Sequence, residues 1–191
     1  MFGRVAGEQA AAYAAGTARA SDDTAVRSDA VATEIRLETM LRSETGDRVA
    51  VLRDAMGDCM ESGVGIFRDE AGMRRACATL AELRARYRGG IRLDDHSRAF
   101  NTEFLCTIEL GFMLEVAEAM AHSALQRKES RGAHVRLDEY DTRNDETFLQ
   151  HSLATYQGDG PPDIGWQEVV ITTSPPKQRQ YGGAGRQAVL T

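Results

Sequence analysis

"NTEFLCTIELGFMLEVAEAMAHSALQRK", residues 101–128, decides how the rest of the chain is read. Leu105, Ile108, Phe112, Val116 and Met120 follow one another at three- and four-residue steps and define one helical face. Phe104, Leu110, Leu114, Ala117, Ala121 and Leu125 cover much of the remaining circumference. A helix apolar nearly all round is the central member of a bundle or is covered by another domain. Burying each large side chain is worth about 1.5–3 kcal/mol, so the helix is expected to be covered, within a bundle or by another domain.

Working upstream, residues 1–16 are Ala-rich and unbroken, a helix without a cap at its start. "TARASDDT" (17–24) is a polar link in which Asp22, Asp23 or Thr24 can cap the next helix, through Val26, Ile35, Leu37 and Leu41. "SETGD" (43–47) breaks the chain. A third helix sets Val49, Leu52, Met56, Cys59 and Met60 on one stripe and stops at "SGVG", where Gly63 and Gly65 supply the termination. A fourth begins near Asp69 and carries Met73, Ala76, Leu80, Leu83 and Tyr87 on its apolar face. Its Arg84, Arg86 and Arg88 suit the negative end of the helix dipole, and Gly89–Gly90 ends it.

Downstream the period changes. "FLQHSLATY" (148–156) and "GWQEVVITT" (165–173) alternate like short strands around the turn "QGDGPPDIG" (157–165). "SPPKQRQYGG" (174–183) favours an extended run, and residues 184–191 read as a mobile tail. The expected fold is mainly α: an antiparallel helical bundle, 17–128, followed by a short β-containing C-terminal region, 129–183.

With 191 residues, 42% of them apolar and 27% charged, the chain has room for one domain with a core, or one domain and a tail. It holds no run of about 18 apolar residues and no signal-peptide layout, which makes an intracellular location the default expectation. Cys59, Cys77 and Cys106 are an odd number set in apolar helical patterns, without C-x-x-C or paired-histidine spacing, and read as buried free thiols. The net charge is −6, and lysine occurs only at Lys128 and Lys177, so the positive charge is nearly all arginine. Arginine favours bidentate pairing with carboxylates and phosphates, but a chain this acidic is a poor nucleic-acid binder.

The strongest candidate site is "RKESRGAHVRLDEYDTRND", residues 127–145. Gly132 allows a tight turn, and Glu129, Arg131, His134, Arg136 and Asp138 can exchange charge-assisted hydrogen bonds. Two readings stand: Arg131 and His134 face a partner or an anionic ligand, or the cluster is an internally paired loop that closes off the long helix. The other candidates are weaker. His96, His122, His134 and His151 are too scattered for metal coordination, and His122 reads as a hydrogen-bonded core residue. Glu109, Glu115 and Glu118 read as solvated or arginine-paired rather than as acid–base groups. Gly3 and Gly7 make no phosphate loop, since no strand precedes them. No serine or cysteine nucleophile has a partnered base. The residues therefore assign no catalytic, cofactor-binding or metal-binding position.

"GVGIFRDE", "LAELRARY", "FNTEFL", "IELGFMLEVAEAMAHSALQRKESRGAHVRLDE" and "ITTSPPKQRQYGG" resemble, in this order, the C-terminal region of the flavoprotein subunit of the fumarate reductase and succinate dehydrogenase family. "FGRVAGEQAA" is similar to the helix that closes that family's FAD-binding domain, so residues 1–16 are expected to be that helix. The proline-rich end looks closer to bacterial quinol:fumarate reductases. The resemblance implies a parent subunit that interconverts fumarate and succinate at covalently bound FAD and passes electrons through an iron–sulfur subunit to membrane anchor subunits and quinone. The family's flavin-binding and catalytic motifs have no counterpart in residues 1–191, which implies an inactive fragment with no cofactor of its own. Met1 stands where the family usually has valine, and a GUG valine codon can start a bacterial gene, so a truncated gene or a split subunit is expected.

On this reading Glu129, Arg131, His134 and Arg136 anchor the helical domain to the FAD-binding domain. The chain borders the iron–sulfur subunit and lies peripherally on the cytoplasmic face of the inner membrane. "TRND" stands where the family usually has a paired-acidic "RDD", a departure at Asn144 that bears on how the loop pairs. The alternative is a free-standing helical module that binds the iron–sulfur subunit during assembly.

Overall fold

A computed structural model describes residues 2–17 and 23–176 of the chain. Asp22, one of the three expected cap residues, the end of the proline-rich segment and the tail at 184–191 lie outside the described residues. The fold is mainly α with small β pairings. Its elements are α1 (Phe2–Gly16), α2 (Thr24–Leu41), α3 (Val49–Val64), β1 (Phe67–Arg68), α4 (Glu70–Gly89), α5 (Thr102–Gln126), β2 (Val135–Arg136), α6 (Asp145–Phe148), β3 (Gln150–Thr155) and β4 (Asp163–Glu168). Two compact units share them: Met1–Val49 with Arg86–Glu109, and Ala50–Ala85 with Leu110–Thr191.

In the first unit, α1 is exposed along its length, and α2 buries only its last residue, Leu41. Asp23 stands at the N-cap of α2 without a side-chain capping bond. Ile91 and Leu93 are buried with Leu41. The "SETGD" break is closed by backbone bonds from Leu93 to the Ser43 carbonyl (3.3 Å) and from Arg92 to the Asp47 carbonyl (3.0 Å). It needs glycine twice. Gly46 and Gly90 have φ of +105° and +125°, and a Cβ on Gly46 would stand 2.0 Å from the Gly90 carbonyl oxygen. Arg86 grips the Asp47 carboxylate with two bonds of 2.8 and 2.9 Å, and Asn101 caps α5 by accepting from the Phe104 amide at 2.7 Å.

In the second unit, α3 buries Leu52, Met56 and Cys59, and α4 buries Met73, Ala76, Leu80 and Leu83, the stripes the spacing predicts. Asp69 starts α4, accepting from the Gly72 amide at 2.7 Å. α3 ends at Val64, within the expected "SGVG" stop, and Gly63 has a second role. A Cβ there would stand 2.8 Å from both the Ala76 Cβ and the Gly72 carbonyl oxygen, so Gly63 lets α3 and α4 approach closely.

One expectation about the helices is corrected, and one left open is decided. Arg84 does not serve the helix dipole at the surface; it is buried and bonded to Glu118 at 2.6 Å. On α5 the buried residues are Thr107, Leu110, Leu114, Ala117, Glu118, Ala121 and Ala124, whereas Leu105, Phe112, Val116 and Met120 are 52–58% exposed. The helix turns Leu110 and Leu114 inward together with the small Thr107, Ala117, Ala121 and Ala124, and leaves Leu105, Phe112, Val116 and Met120 uncovered.

β3 lies within the expected 148–156 and pairs antiparallel with β4, which begins inside the expected turn and ends at Glu168, short of the expected 173; the register runs from Gln150 opposite Glu168 to Thr155 opposite Asp163. The parallel pair of β1 with β2, Phe67 opposite Val135 and Arg68 opposite Arg136, was not foreseen. Two residues are too short to show a period.

Candidate functional site

The loop after α5 is built around Glu129, whose side chain is 0% exposed. Its Oε1 accepts from Arg127 Nη1 and Arg131 Nε, each at 2.7 Å. Oε2 accepts from Arg131 Nη2 at 3.0 Å and from the Asn144 backbone amide at 2.8 Å. One buried carboxylate thus receives four donors, the condition under which burying a charge is tolerable. Burial pushes its pKa up, but the bonds from Arg131, Asn144 and Arg127 outweigh that and hold it below the ordinary value.

Arg136 is the second buried charge. Its Nε lies 3.0 Å from both oxygens of Asp138, and its Nη1 donates to the Arg127 carbonyl at 3.3 Å. Asp138 also accepts from the Glu70 amide at 3.1 Å, which ties the loop to the start of α4. Ser130 links the strands of the loop: its hydroxyl accepts from the Arg136 amide at 2.8 Å and donates to the Tyr140 carbonyl at 3.0 Å.

Arg131 extends outward from Glu129 to Asp145 (2.6 Å), where Arg143 also binds. Asp145 is held down to a pKa of about 2 by these two guanidinium groups. Arg127 donates to the Phe148 and Gln150 carbonyls at 2.9 and 2.7 Å and lies 5.0 Å from the Trp166 ring centroid. His134 accepts from Arg68 on Nδ1 (2.7 Å), while its Nε2 faces the Arg127 carbonyl at 3.1 Å. Only a neutral ring protonated on Nε2 satisfies both contacts. Burial lowers its pKa most, aided by the charges of Arg68, Arg136 and Arg127.

Glu129, Arg131, His134 and Arg136 therefore meet in one cluster, paired within the chain. Gly132 forms the turn with a φ of +60°, and Gly132, Ala133 and Leu137 lie at the exposed surface. Arg68, Arg127 and Arg143 complete the cluster without having been singled out in the sequence. For Arg127 and Arg143 the available signal was the density of charge in 127–145, four arginines and one lysine against five carboxylates. Asn144 does not break the pairing: its amide serves Glu129 and its side chain caps α6, accepting from Thr147 at 3.0 Å.

The sequence profile described as "Fumarate reductase flavoprotein C-term" matches residues 53–181. The chain belongs to this family. It is 48% identical over 184 residues to the fumarate reductase flavoprotein subunit of Escherichia coli, covering 96% of this chain and 30% of that protein. It is 34% identical over 140 residues to a Rickettsia conorii succinate dehydrogenase flavoprotein subunit, covering 70% of this chain and 23% of that one. A solved structure of Escherichia coli quinol fumarate reductase superposes with a TM-score of 0.88 at 46% identity, over 95% of this chain and 31% of that one. The chain thus spans about a third or less of the length of the relatives it matches. It corresponds to the C-terminal domain of a fumarate reductase/succinate dehydrogenase flavoprotein subunit.

Among the described residues, the two glycines that could suggest a phosphate loop offer the family's FAD no seat. Gly3 and Gly7 sit on the exposed α1 with nothing within 4 Å of where a Cβ would stand, which is open helix surface and no cradle for a pyrophosphate. Among the described residues no group of His, Cys, Asp and Glu is placed to hold a metal ion, and no helix is long and apolar enough to cross a membrane. Cys59 and Cys77 are buried free thiols, the latter pushed up to a pKa of about 11, while Cys106 is half-buried. Glu118 is arginine-paired as expected, Glu109 and Glu115 are exposed, and His122 is half-buried with its pKa lowered by burial.

Proposed function

We propose that this chain is the structural C-terminal domain of a subunit that interconverts fumarate and succinate at FAD, and that it performs no chemistry alone. In the intact assembly electrons would pass between the flavin and quinone through an iron–sulfur subunit and membrane anchor subunits, with the flavoprotein peripheral on the cytoplasmic face. The observation that carries this reading is identity of 48% along nearly the whole chain to a protein of which it spans 30%. The uncovered face of α5 supports it, because exposed Phe112, Val116 and Met120 suit a helix that another domain or subunit covers.

Within this reading the cluster braces the surface that meets the FAD-binding domain. Glu129 and Arg136, both buried, would form the frame, and the partly exposed Arg131 and His134 would be the residues left to reach the partner. Nucleic acid is no partner for a chain of net charge −6.

Co-expression with the preceding part of a fumarate reductase flavoprotein tests the proposal. The combined preparation is expected to oxidise a reduced viologen dye only when fumarate is added, and neither part alone to do so. Equal activity of the preceding part without this chain would overturn it.

A further inference from the structure

We propose that His134 is a proton-sensitive latch: uptake of a second ring proton breaks its bond to Arg68 and releases the parallel pairing of β1 with β2. The inference concerns the chain's own residues and holds whatever enzyme the chain serves.

The geometry leaves the ring no tolerant alternative. Nδ1 accepts from Arg68 at 2.7 Å, and a proton on that nitrogen would set two donors, both cationic, against each other. Nε2 is already committed as a donor to the Arg127 carbonyl. The charged groups acting on the ring are all basic: Arg68 from β1, Arg136 from β2 and Arg127 at the end of α5. The nearby carboxylates are spoken for, Glu129 by Arg127 and Arg131, and Asp138 by Arg136. An imidazolium therefore gains a repulsive setting and no new partner.

What it would release is small and local. The β1–β2 ladder is two residues a side, joined by the Val135 amide to the Ile66 carbonyl at 3.3 Å and the Leu137 amide to the Arg68 carbonyl at 2.8 Å. The Arg68 side chain also donates from Nε to the Gly65 carbonyl. So short a pairing has little stability of its own, and the His134–Arg68 bond spans the same two segments. Ile66, Phe67 and Leu137 stand exposed beside it, so opening would reshape an apolar surface. Half-buried His134 lies next to exposed Ala133, within reach of solvent protons.

Amide hydrogen exchange on the full chain tests the latch. Between about pH 7.5 and about pH 5.5, protection of the Val135 and Leu137 amides, corrected for intrinsic rate, is expected to fall by up to about tenfold. His134→Gln, whose amide oxygen can accept from Arg68 but does not protonate, is expected to abolish that pH dependence. Unchanged protection in the parent chain, or the same fall in His134→Gln, overturns the proposal. Nitrogen NMR of the His134 ring in the unaltered chain decides the matter independently of the variant. The expected result is an Nε2-protonated neutral ring that gains its proton in step with loss of protection, and a ring that titrates without that loss refutes the latch.

Discussion

Arg84 of α4 donates to Glu118 of α5 at 2.6 Å, with both side chains more than nine-tenths buried. The same guanidinium bonds the carbonyls of Gly158 and Gly160 and lies 5.7 Å from the Tyr156 ring centroid, so it fastens the β3–β4 turn to the helices. A buried pair of this kind adds little over a matched apolar pair, whereas breaking it strands a charge. Glu118→Ala is expected to cost about 3–5 kcal/mol, and the double change Arg84→Met with Glu118→Leu far less. Urea unfolding of the two variants measures the difference.

Glu129→Gln tests the loop. The substitution keeps the shape but removes the charge that four donors were built to meet, and an expected loss of about 3 kcal/mol follows from leaving Arg127 and Arg131 underpaired. The loss is read from the urea midpoint, with the Trp166 signal reporting on the adjoining hairpin.

Acid should act on the chain in two windows. His134 and Glu129 both have folded pKa values below their ordinary values of 6.5 and 4.5. A group depressed in this way contributes stability that is complete above its unfolded value and is lost as the pH falls through the folded one. Stability is therefore expected to be level above about pH 7, to decline first through the His134 window, and to decline again below about pH 4.5 as Glu129, Asp138 and Asp145 protonate. Urea midpoints measured against pH show the two steps, and Glu129→Gln is expected to weaken the second.

Gly63→Ala should be costly although alanine is the better helix former. The added methyl would meet the Ala76 Cβ and the Gly72 carbonyl oxygen at 2.8 Å, and α3 and α4 must part to admit it. A loss of about 1–3 kcal/mol is expected. Gly57→Ala, on the same helix with open space around it, is the control and should be neutral or stabilising.

The open face of α5 predicts the opposite pattern. Phe112→Ser and Val116→Lys should change unfolding free energy by no more than about 0.5 kcal/mol, because neither side chain is buried within the chain. They should reduce self-association of the purified chain, measured by sedimentation, and weaken its incorporation into a complete flavoprotein.

What could be read in advance followed the periodicity. Leu52, Met56 and Cys59 on α3, and Met73, Ala76, Leu80 and Leu83 on α4, lie inward as their spacing requires. On α5 periodicity could not choose, because bulky residues occur on nearly every side and both faces offer a stripe. The deciding signal was present but subtler: Thr107, Leu110, Leu114, Ala117, Ala121 and Ala124 repeat at steps of three and four and include the small residues that permit close helix approach. Arg84 carried a similar sign, since it follows Leu80 by four on a core stripe and so needed a buried carboxylate. The 127–145 cluster was legible in composition, but its long-range partners, above all Arg68 and the Asn144 amide, depend on tertiary contacts that local spacing does not encode.

As the proposed C-terminal domain, this chain completes a flavoprotein whose flavin-binding portion is another stretch of polypeptide. Co-expressing the tagged chain with the flavin-binding portion of a fumarate reductase flavoprotein, and recording the visible spectrum of the purified material, tests that role. The expected result is a stable complex with flavin absorbance in proportion to the chain. A colourless chain recovered alone, beside a flavin-binding portion that is folded and fully active without it, would overturn it.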